Sequence, residues 1–347
     1  MSMNRRDVLG LALAGPLALA AGARAPAQDD SLYTAARAEG ALTMYTGGAS
    51  SNSTSLIKAF NDRYPGIEVT VVGAYSNVND VKIDAQLRAG NVNADVVSFQ
   101  TVQDFVRWNA AGQMLPYRFP GIEMFDPHYI DPNGAFTATN LNPLTYAFNT
   151  KLVAAADVPR SALDFLQPKF AGRAITCYPH DDDATLYLFH TLQQKYGWDF
   201  IDRYMKSGPS FVEGHAGVVQ AIVAGDKSVS FDCSTHMVAE PQAKGQPIAV
   251  VFSQADVTPV FFNTTGILKA APHPNAAKLY TAWYLSREQQ IKTGNWSARR
   301  DVPPPTGFEP LASYHLANEY RAFVVNAPLI ASLRVKYLAY TGPVVNH

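Results

Sequence analysis

Short apolar runs alternate with amphipathic segments in the first third of the chain. The apolar runs predict buried strands over residues 41–45, 67–71 and 94–99. The amphipathic segments predict helices over residues 56–64, 78–87 and 102–108. Strands that alternate with helices in this way are typical of an α/β fold with helices packed on a sheet.

The same pattern returns after an interruption. Residues 112–137 are rich in Pro, Gly and aromatic residues and lack a clear period, which predicts a surface excursion. Further strands are predicted at 136–139, 144–148, 172–177, 229–231, 248–252, 260–262 and 266–268. Further helices are predicted at 183–195, 198–207, 215–224 and 275–285.

The N-terminus has the pattern of an export signal. Arg5 and Arg6 precede an apolar run over 9–21 that is too short to span a bilayer, and a small-residue stretch ends at Ala27. Residues 1–27 are therefore predicted to be a cleaved signal peptide of the twin-arginine type, which places the mature chain in the periplasm. A short N-terminal membrane anchor is the alternative.

Composition narrows the class of function. Without residues 1–27, 320 residues remain with a formal charge of −3, a length that favours two domains. Only 16% of residues are charged and no basic run occurs, so we expect no binding of nucleic acid. We also expect a monomer. The chain has no Gly-x-Ser-x-Gly or His-Glu-x-x-His motif, so we expect no enzymatic activity and no cofactor.

Polar residues follow two of the predicted strands in the first third. Ser50, Ser51 and Asn52 lie where a strand turns into a helix, and Gln100 and Thr101 follow the next strand. Ligands of open α/β sheets collect at the carboxyl ends of strands, and free amides at a helix start suit a carboxylate or phosphate. Simple capping of the helices is the alternative explanation.

Several segments, taken in order, resemble one protein family. They are residues 39–46, 94–97, 225–231 and 276–303. Together they resemble bacterial extracellular solute-binding proteins of ABC importers, in the subgroup that includes ferric-ion-binding proteins.

The resemblance implies an α/β, two-lobed type II periplasmic-binding-protein fold with two hinge strands, near residues 137–146 and 259–264. The first lobe would comprise residues 28–140 plus 262–302, and the second residues 141–261. Residues 303–347 would form a C-terminal helical segment packed across both lobes. A small-molecule solute would bind between the lobes, and an ABC permease in the inner membrane would recognise their closure.

One departure from the resemblance concerns the ligand. Ferric members carry two adjacent tyrosines after a strand of the second lobe, but this chain has no Tyr-Tyr pair and continues from residues 229–231 with Asp232-Cys233-Ser234-Thr235-His236. Because Fe³⁺ favours charged oxygen ligands, we expect an organic solute or an oxyanion. A role in ferric or other metal uptake, or as a periplasmic ligand sensor, is the alternative.

The second lobe supplies further candidate ligand residues. Asp181 and Asp183 stand at a predicted helix start and are suited to an ammonium or hydroxyl group, although acidic residues also favour helix starts in general. Ser234 and Thr235 stand at another helix start, where the alternative is capping. Tyr146 and Phe261 flank strand ends and could contact an apolar part of the solute, or could simply belong to the core.

Two further side-chain sets have alternative explanations. A metal site would draw on His180, Asp181, Asp232 and His236, whose spacing is irregular. Cys177 and Cys233 are the two cysteines of the chain, and in an oxidising compartment they form one disulfide or remain two separate buried thiols.

Overall fold

The computed structural model describes residues 28–345, so the predicted signal peptide lies outside the described residues. The strands are β1 (Ala41–Gly47), β2 (Glu68–Ala74), β3 (Val96–Phe99), β4 (Phe136–Asn149), β5 (Ile175–Cys177), β6 (Ser210–Val212), β7 (Val229–Ser234), β8 (Ile248–Val251), β9 (Thr258–Ile267) and β10 (Leu316–Ala317). The helices are α1 (Gln28–Glu39), α2 (Thr54–Arg63), α3 (Ser76–Ala89), α4 (Val102–Ala110), α5 (Asp183–Lys206), α6 (His215–Ala224), α7 (Thr235–Ala243), α8 (Pro274–Tyr284), α9 (Arg287–Lys292), α10 (Tyr320–Val324) and α11 (Ala327–Thr341).

The first lobe is built on three parallel strands, with β1 between β2 and β3. Its core contains Leu42 of β1, Phe60 of α2 and Tyr280 of α8, all at most 2% exposed. The alternation of apolar strands and amphipathic helices that predicted this unit is confirmed, because each apolar face is buried against the next element.

Two long strands connect the lobes. Residues 136–143 of β4 pair with β9 in antiparallel register, and residues 144–149 pair with β7 and β8. At its other edge β9 pairs with β3, so one sheet continues through both lobes in the order β2-β1-β3-β9-β4-β7. The pattern had indicated pairs of short extended segments, and the structure joins each pair into one strand.

The second lobe surrounds β4, β7 and β8 and adds the parallel pair of β5 and β6. Gly197 has φ 75° and ψ 178° within α5, which is compatible with glycine but not with a helix. The helix is therefore broken at Gly197, between the two helices predicted at 183–195 and 198–207.

Residues 112–137 are not the surface excursion that was predicted. Met114, Phe119 and Phe125 are at most 3% exposed and belong to the main core. The ring of Tyr129 packs edge-on against Phe262 of β9, with centroids 5.4 Å apart. The segment lacks periodicity because short 3₁₀ turns carry it, yet its aromatic side chains are inserted into the interior.

The C-terminal segment contacts elements of both lobes. β10 pairs with β9, α10 packs on α4 and α5, and α11 packs on α5. Between residues 28 and 345, no helix combines the length and the apolarity needed to cross a bilayer. The lobe boundaries drawn from the sequence stay a prediction.

Candidate functional site

Strand ends and helix starts of the two lobes meet at an interface, which we call the inter-lobe cleft. Gln100 Nε2 lies 3.4 Å from Asp182 Oδ1, and Gln103 Nε2 donates to Asp183 Oδ2 at 2.7 Å. Tyr75 extends from the start of α3 to the start of α6, where its hydroxyl would lie 2.9 Å from a Cβ added at Gly214. The first and second lobes therefore touch around this site.

Four helices begin at the cleft without a capping side chain. They are α3, α4, α6 and α7, and none of their N-cap side chains accepts a hydrogen bond from the helix. The first amides of a helix have no partner within it and carry a partial positive charge. Only α5 differs, because Asp182 Oδ1 accepts from the amides of Ala184 and Thr185.

Among the predicted residues Ser50, Ser51 and Asn52, Ser50 makes its hydrogen bonds within the first lobe. Its Oγ donates to the carbonyl of Val71 at 3.1 Å and accepts from the amide of Gly73 at 2.9 Å. Ser51 and Asn52 are exposed and lie with it in a 3₁₀ turn. The turn is thus anchored through Ser50 and presents its next two residues to solvent.

Gln100 and Thr101 both lie at the cleft. Gln100 is half-buried, and its carbonyl oxygen lies 3.5 Å from Tyr320 Oη in the C-terminal segment. Thr101 is 6% exposed, and its Oγ1 has no hydrogen-bond partner among residues 28–345.

The two aspartates predicted to bind a cation have different surroundings. Asp183 is 6% exposed, and its Oδ1 accepts from Arg334 at 2.6 Å, so its charge is already compensated. Asp181 is half-buried, and burial together with the charges of Glu213 and Asp182 raises its pKa. A negative patch, offset in part by Arg334, therefore lies on this side of the cleft.

Ser234 and Thr235 are buried at the start of α7. Ser234 Oγ lies 2.8 Å from His236 Nδ1. His236 is exposed, yet neighbouring protein groups pack around much of its ring. The partial desolvation of the ring and the charge of the neighbouring His215 lower the pKa of His236 to about 4.

The two predicted aromatic contacts lie in different places. Tyr146 is 3% exposed and donates to Asp256 Oδ2 at 2.6 Å within the second-lobe core, so it is a core residue rather than a cleft residue. Phe261 stacks on the ring of His215, with centroids 6.0 Å apart and planes at 14°.

His215 was not among the residues predicted from the sequence, yet it lies at the start of α6 beside the predicted residues Asp232 and Phe261. Its Nε2 lies 2.9 Å from Asp232 Oδ1, and its Nδ1 lies 3.7 Å from Asp182 Oδ2. Burial opposes protonation, but Cys177, Asp232 and Asp182 outweigh it and hold the pKa of His215 well above its usual value. Since burial raises the pKa of the Cys177 thiol to about 12, that thiol is neutral, and the Asp232 carboxylate is the main charge that stabilises the imidazolium.

The predicted four-residue metal set does not assemble. His180 Nδ1 lies 3.0 Å from Thr341 Oγ1 instead, and His236 is bonded to Ser234. Within the described part of the chain, the acidic, His and Cys atoms that meet within 4.8 Å belong to Cys177, His215 and Asp232.

Hydrogen bonds account for that cluster without an ion. Asp232 Oδ2 accepts from Thr176 Oγ1, the amide of Cys177 and Thr185 Oγ1, while Oδ1 pairs with His215. Both carboxylate oxygens are therefore already satisfied by protein groups.

The two cysteines are free and buried, which corrects the disulfide hypothesis in favour of separate thiols. Each thiol has its own neighbours. Cys233 Sγ lies 3.8 Å from the carbonyl of Ser234, and Cys177 Sγ lies beside the ring of His215.

Comparison with known proteins identifies the family. A family model described as "Bacterial extracellular solute-binding protein" matches residues 55–319. The chain belongs to this family. It is therefore a periplasmic solute-binding protein of the ABC-importer type, and the expected type II fold is confirmed. No curated protein matches the sequence.

Solved structures agree on the fold at low identity. Iron-bound HitA from Pseudomonas aeruginosa is 19% identical with a TM-score of 0.72, over 86% of this chain and 99% of that chain. AfuA from Actinobacillus pleuropneumoniae, solved with fructose-6-phosphate, is 20% identical with a TM-score of 0.73, over 86% and 98%. The ferric binding protein from Campylobacter jejuni is 16% identical with a TM-score of 0.67, over 85% and 99%.

Proposed function

We propose that this protein binds a small organic solute or oxyanion with an anionic group in the inter-lobe cleft and delivers it to an ABC permease. The observation that supports this most strongly is that four helices begin at the inter-lobe cleft without a capping side chain, and that one of them, α6, begins with His215. Backbone amides at helix starts bind carboxylate and phosphate groups directly.

His215 offsets negative charge beneath these amides. It is 8% exposed and its ring nitrogens face Asp232 and Asp182, so it acts on an anionic solute by neutralising these carboxylates and not through a direct hydrogen bond. A charge at such a site is screened less by water than one on the surface.

Asp181 and Glu213, which belong to the same lobe as His215, limit the rest of the solute. They repel a second negative charge, and burial together with the charge of Glu213 raises the pKa of Asp181. The solute is therefore expected to carry a hydroxyl or ammonium group at that end. AfuA, which has the same fold, was solved with fructose-6-phosphate, so this fold can hold an organic phosphate.

Iron uptake is less well supported. HitA of the same fold is iron-bound, but no tyrosine pair occurs in this sequence. Tyr75, the tyrosine that crosses the cleft, has its pKa raised by burial and by Glu213, which disfavours the phenolate that Fe³⁺ requires.

A thermal-shift screen of carboxylates, phosphate esters, phosphonates, sugars, polyamines and Fe³⁺ tests the proposal. An anionic organic compound should raise the melting temperature, because it binds only the folded protein. A shift with Fe³⁺ alone, together with a visible absorption band, would replace this proposal with iron uptake.

A matched pair of variants tests the role of charge. His215→Gln should weaken the anion hit about five- to tenfold, the loss expected for about 1 kcal/mol of electrostatic attraction. His273→Gln is the control, because His273 Nδ1 also pairs with a buried carboxylate, Asp95 Oδ2 at 2.9 Å, but in the first-lobe core. Equal affinities for both variants would show that the charge of His215 does not contribute to anion binding.

A further inference from the structure

A second cavity lies in the second lobe, at the opposite end of its strands from the inter-lobe cleft. Its volume is about 460 Å³, within the range of small-molecule sites. Ser228 lines it at the N-terminal end of β7, whereas Ser234 ends the same strand at the cleft. Since β7 has six residues, the two sites are separated by roughly 20 Å.

The charge on the cavity wall is unbalanced. Lys169 and Asp157 form an ion pair at 2.8 Å and largely cancel each other. Arg173 also lines the cavity and is exposed, and its guanidinium has no hydrogen-bond or ion-pair partner among the described residues. Its guanidinium is therefore free to bind a carboxylate or phosphate through two parallel hydrogen bonds.

A buried hydroxyl in the same wall also lacks a partner. Ser228 is 3% exposed, and its Oγ makes no hydrogen bond within residues 28–345. Its main chain is satisfied, because its amide donates to the carbonyl of Arg173 at 2.9 Å and its carbonyl accepts from the amide of Asn149 at 2.9 Å. A buried hydroxyl without a partner is destabilising, and an acceptor oxygen in the cavity would supply the missing hydrogen bond.

The remaining wall is apolar. Val153 and Phe170 are at most 6% exposed and form part of the lining, and Leu152 stands at the edge with 49% of its surface exposed. This apolar surface suits a short hydrocarbon or aromatic group. A bare inorganic ion would contact only Arg173 and Ser228.

We propose that this cavity is a second ligand site, distinct from the inter-lobe cleft, for a small organic anion with an apolar group. Arg173 binds the anionic oxygens, Ser228 donates a hydrogen bond to one of them, and the apolar group lies against Val153, Phe170 and Leu152. The site does not depend on the identity of the solute in the cleft.

Titration of the methyl-labelled protein with phenyl phosphate, followed by NMR, tests the site directly. The methyl resonances of Leu152 and Val153 should shift and saturate at up to about 10 mM ligand, a range that covers weak sites. These methyl groups report the cavity even when the same compound also occupies the cleft, so failure of the cleft proposal would be seen separately.

Variants identify the groups responsible. Arg173→Ala should weaken the Leu152 and Val153 response at least about tenfold, and Arg173→Lys less, because lysine keeps the charge but lacks the planar fork. Ser228→Ala should weaken it about two- to tenfold. Arg118→Ala is the control, since Arg118 is an exposed arginine that does not line the cavity.

Two results would overturn the site. One is the absence of any saturable shift at Leu152 and Val153 in the wild-type protein. The other is a shift of equal affinity in the Arg173→Ala and Arg118→Ala variants.

Discussion

Buried aspartates connect distant segments of this chain. Asp232 ties β5, α5 and α6 to β7, and Asp95 accepts from the amides of Thr43 and His273 at 2.7 and 2.6 Å. Asp256 accepts from the amide of Ala162 at 2.7 Å and from Tyr146 Oη. A carboxylate so enclosed is stable only because every oxygen has donors.

Removal of one such carboxylate should therefore be costly. Asp232→Ala leaves the His215 imidazolium buried without its counter-ion and should lower the free energy of unfolding by about 3–5 kcal/mol. Asp62→Ala is the control, because Asp62 pairs with Lys58 at an exposed site and should cost less than about 1 kcal/mol. Urea unfolding measures both, and losses of similar size would contradict the role given to Asp232.

The same pair predicts how stability depends on pH. The pKa of His215 is raised from 6.5, so its contribution is complete below about pH 6.5 and is lost as the pH rises through the higher folded value. The pKa of Asp232 is lowered from 3.8, so its contribution is complete above that pH and is lost on acidification. The stability difference between wild type and His215→Gln should therefore shrink from pH 6 towards alkaline pH, measured by urea unfolding at each pH. A difference that grows would exclude the charged pair.

At the scale of elements, the turn before α2 depends on a close approach to β2. A Cβ at Gly73 would lie 2.3 Å from the amide nitrogen of Ser50 and 2.6 Å from the carbonyl oxygen of Gly48. Both are backbone atoms that cannot rotate away. Glycine in β2 thus allows the turn with Ser51 and Asn52 to lie directly on the sheet.

Gly73→Ala should displace this turn and cost about 1–3 kcal/mol in the free energy of unfolding. Ser50→Ala removes two hydrogen bonds without a clash and should cost about 1 kcal/mol. If the turn contacts the solute, Gly73→Ala should also weaken binding by calorimetry, and by more than Ser50→Ala, which loosens the turn without a clash. Unchanged binding in Gly73→Ala would remove the turn from the site.

At the scale of the molecule, contacts between the lobes and the C-terminal segment converge on Asp183. This residue accepts from Gln103 of α4 and from Arg334 of α11, while Tyr320 of α10 reaches the carbonyl of Gln100. The lobes are also joined by β4 and β9, and they touch at Gln100 with Asp182 and at Tyr75 with Gly214. These side-chain contacts are therefore suited to favour the closed arrangement.

Arg334→Ala should shift the lobes towards a more open arrangement. We expect a larger radius of gyration by solution scattering and a solute affinity about fivefold weaker, since a closed form that is less populated binds in proportion to its population. Arg203→Ala, which removes an exposed pair with Asp199 at 3.8 Å, is the control. Identical scattering and affinity in both variants would show that the Arg334–Asp183 pair does not favour the closed arrangement.

The sequence by itself determined the order and type of most elements. The helix over His215–Ala224, the break at Gly197 and the end of α3 at Gly90 follow from apolar spacing and from glycine, which act within a few residues. The order of such segments was also enough to indicate the family and the type II fold.

Only the tertiary structure decided which side chains meet. Asp232 accepts a hydrogen bond from the amide of Cys177, 55 residues away in the sequence. Tyr146 donates to Asp256, 110 residues away. Contacts between distant segments also decide that residues 112–137 are buried, that the two thiols are separate and that His215 pairs with Asp232. Local pattern specifies backbone conformation and which face is apolar, but the partner of a polar side chain depends on how non-adjacent strands and helices are brought together.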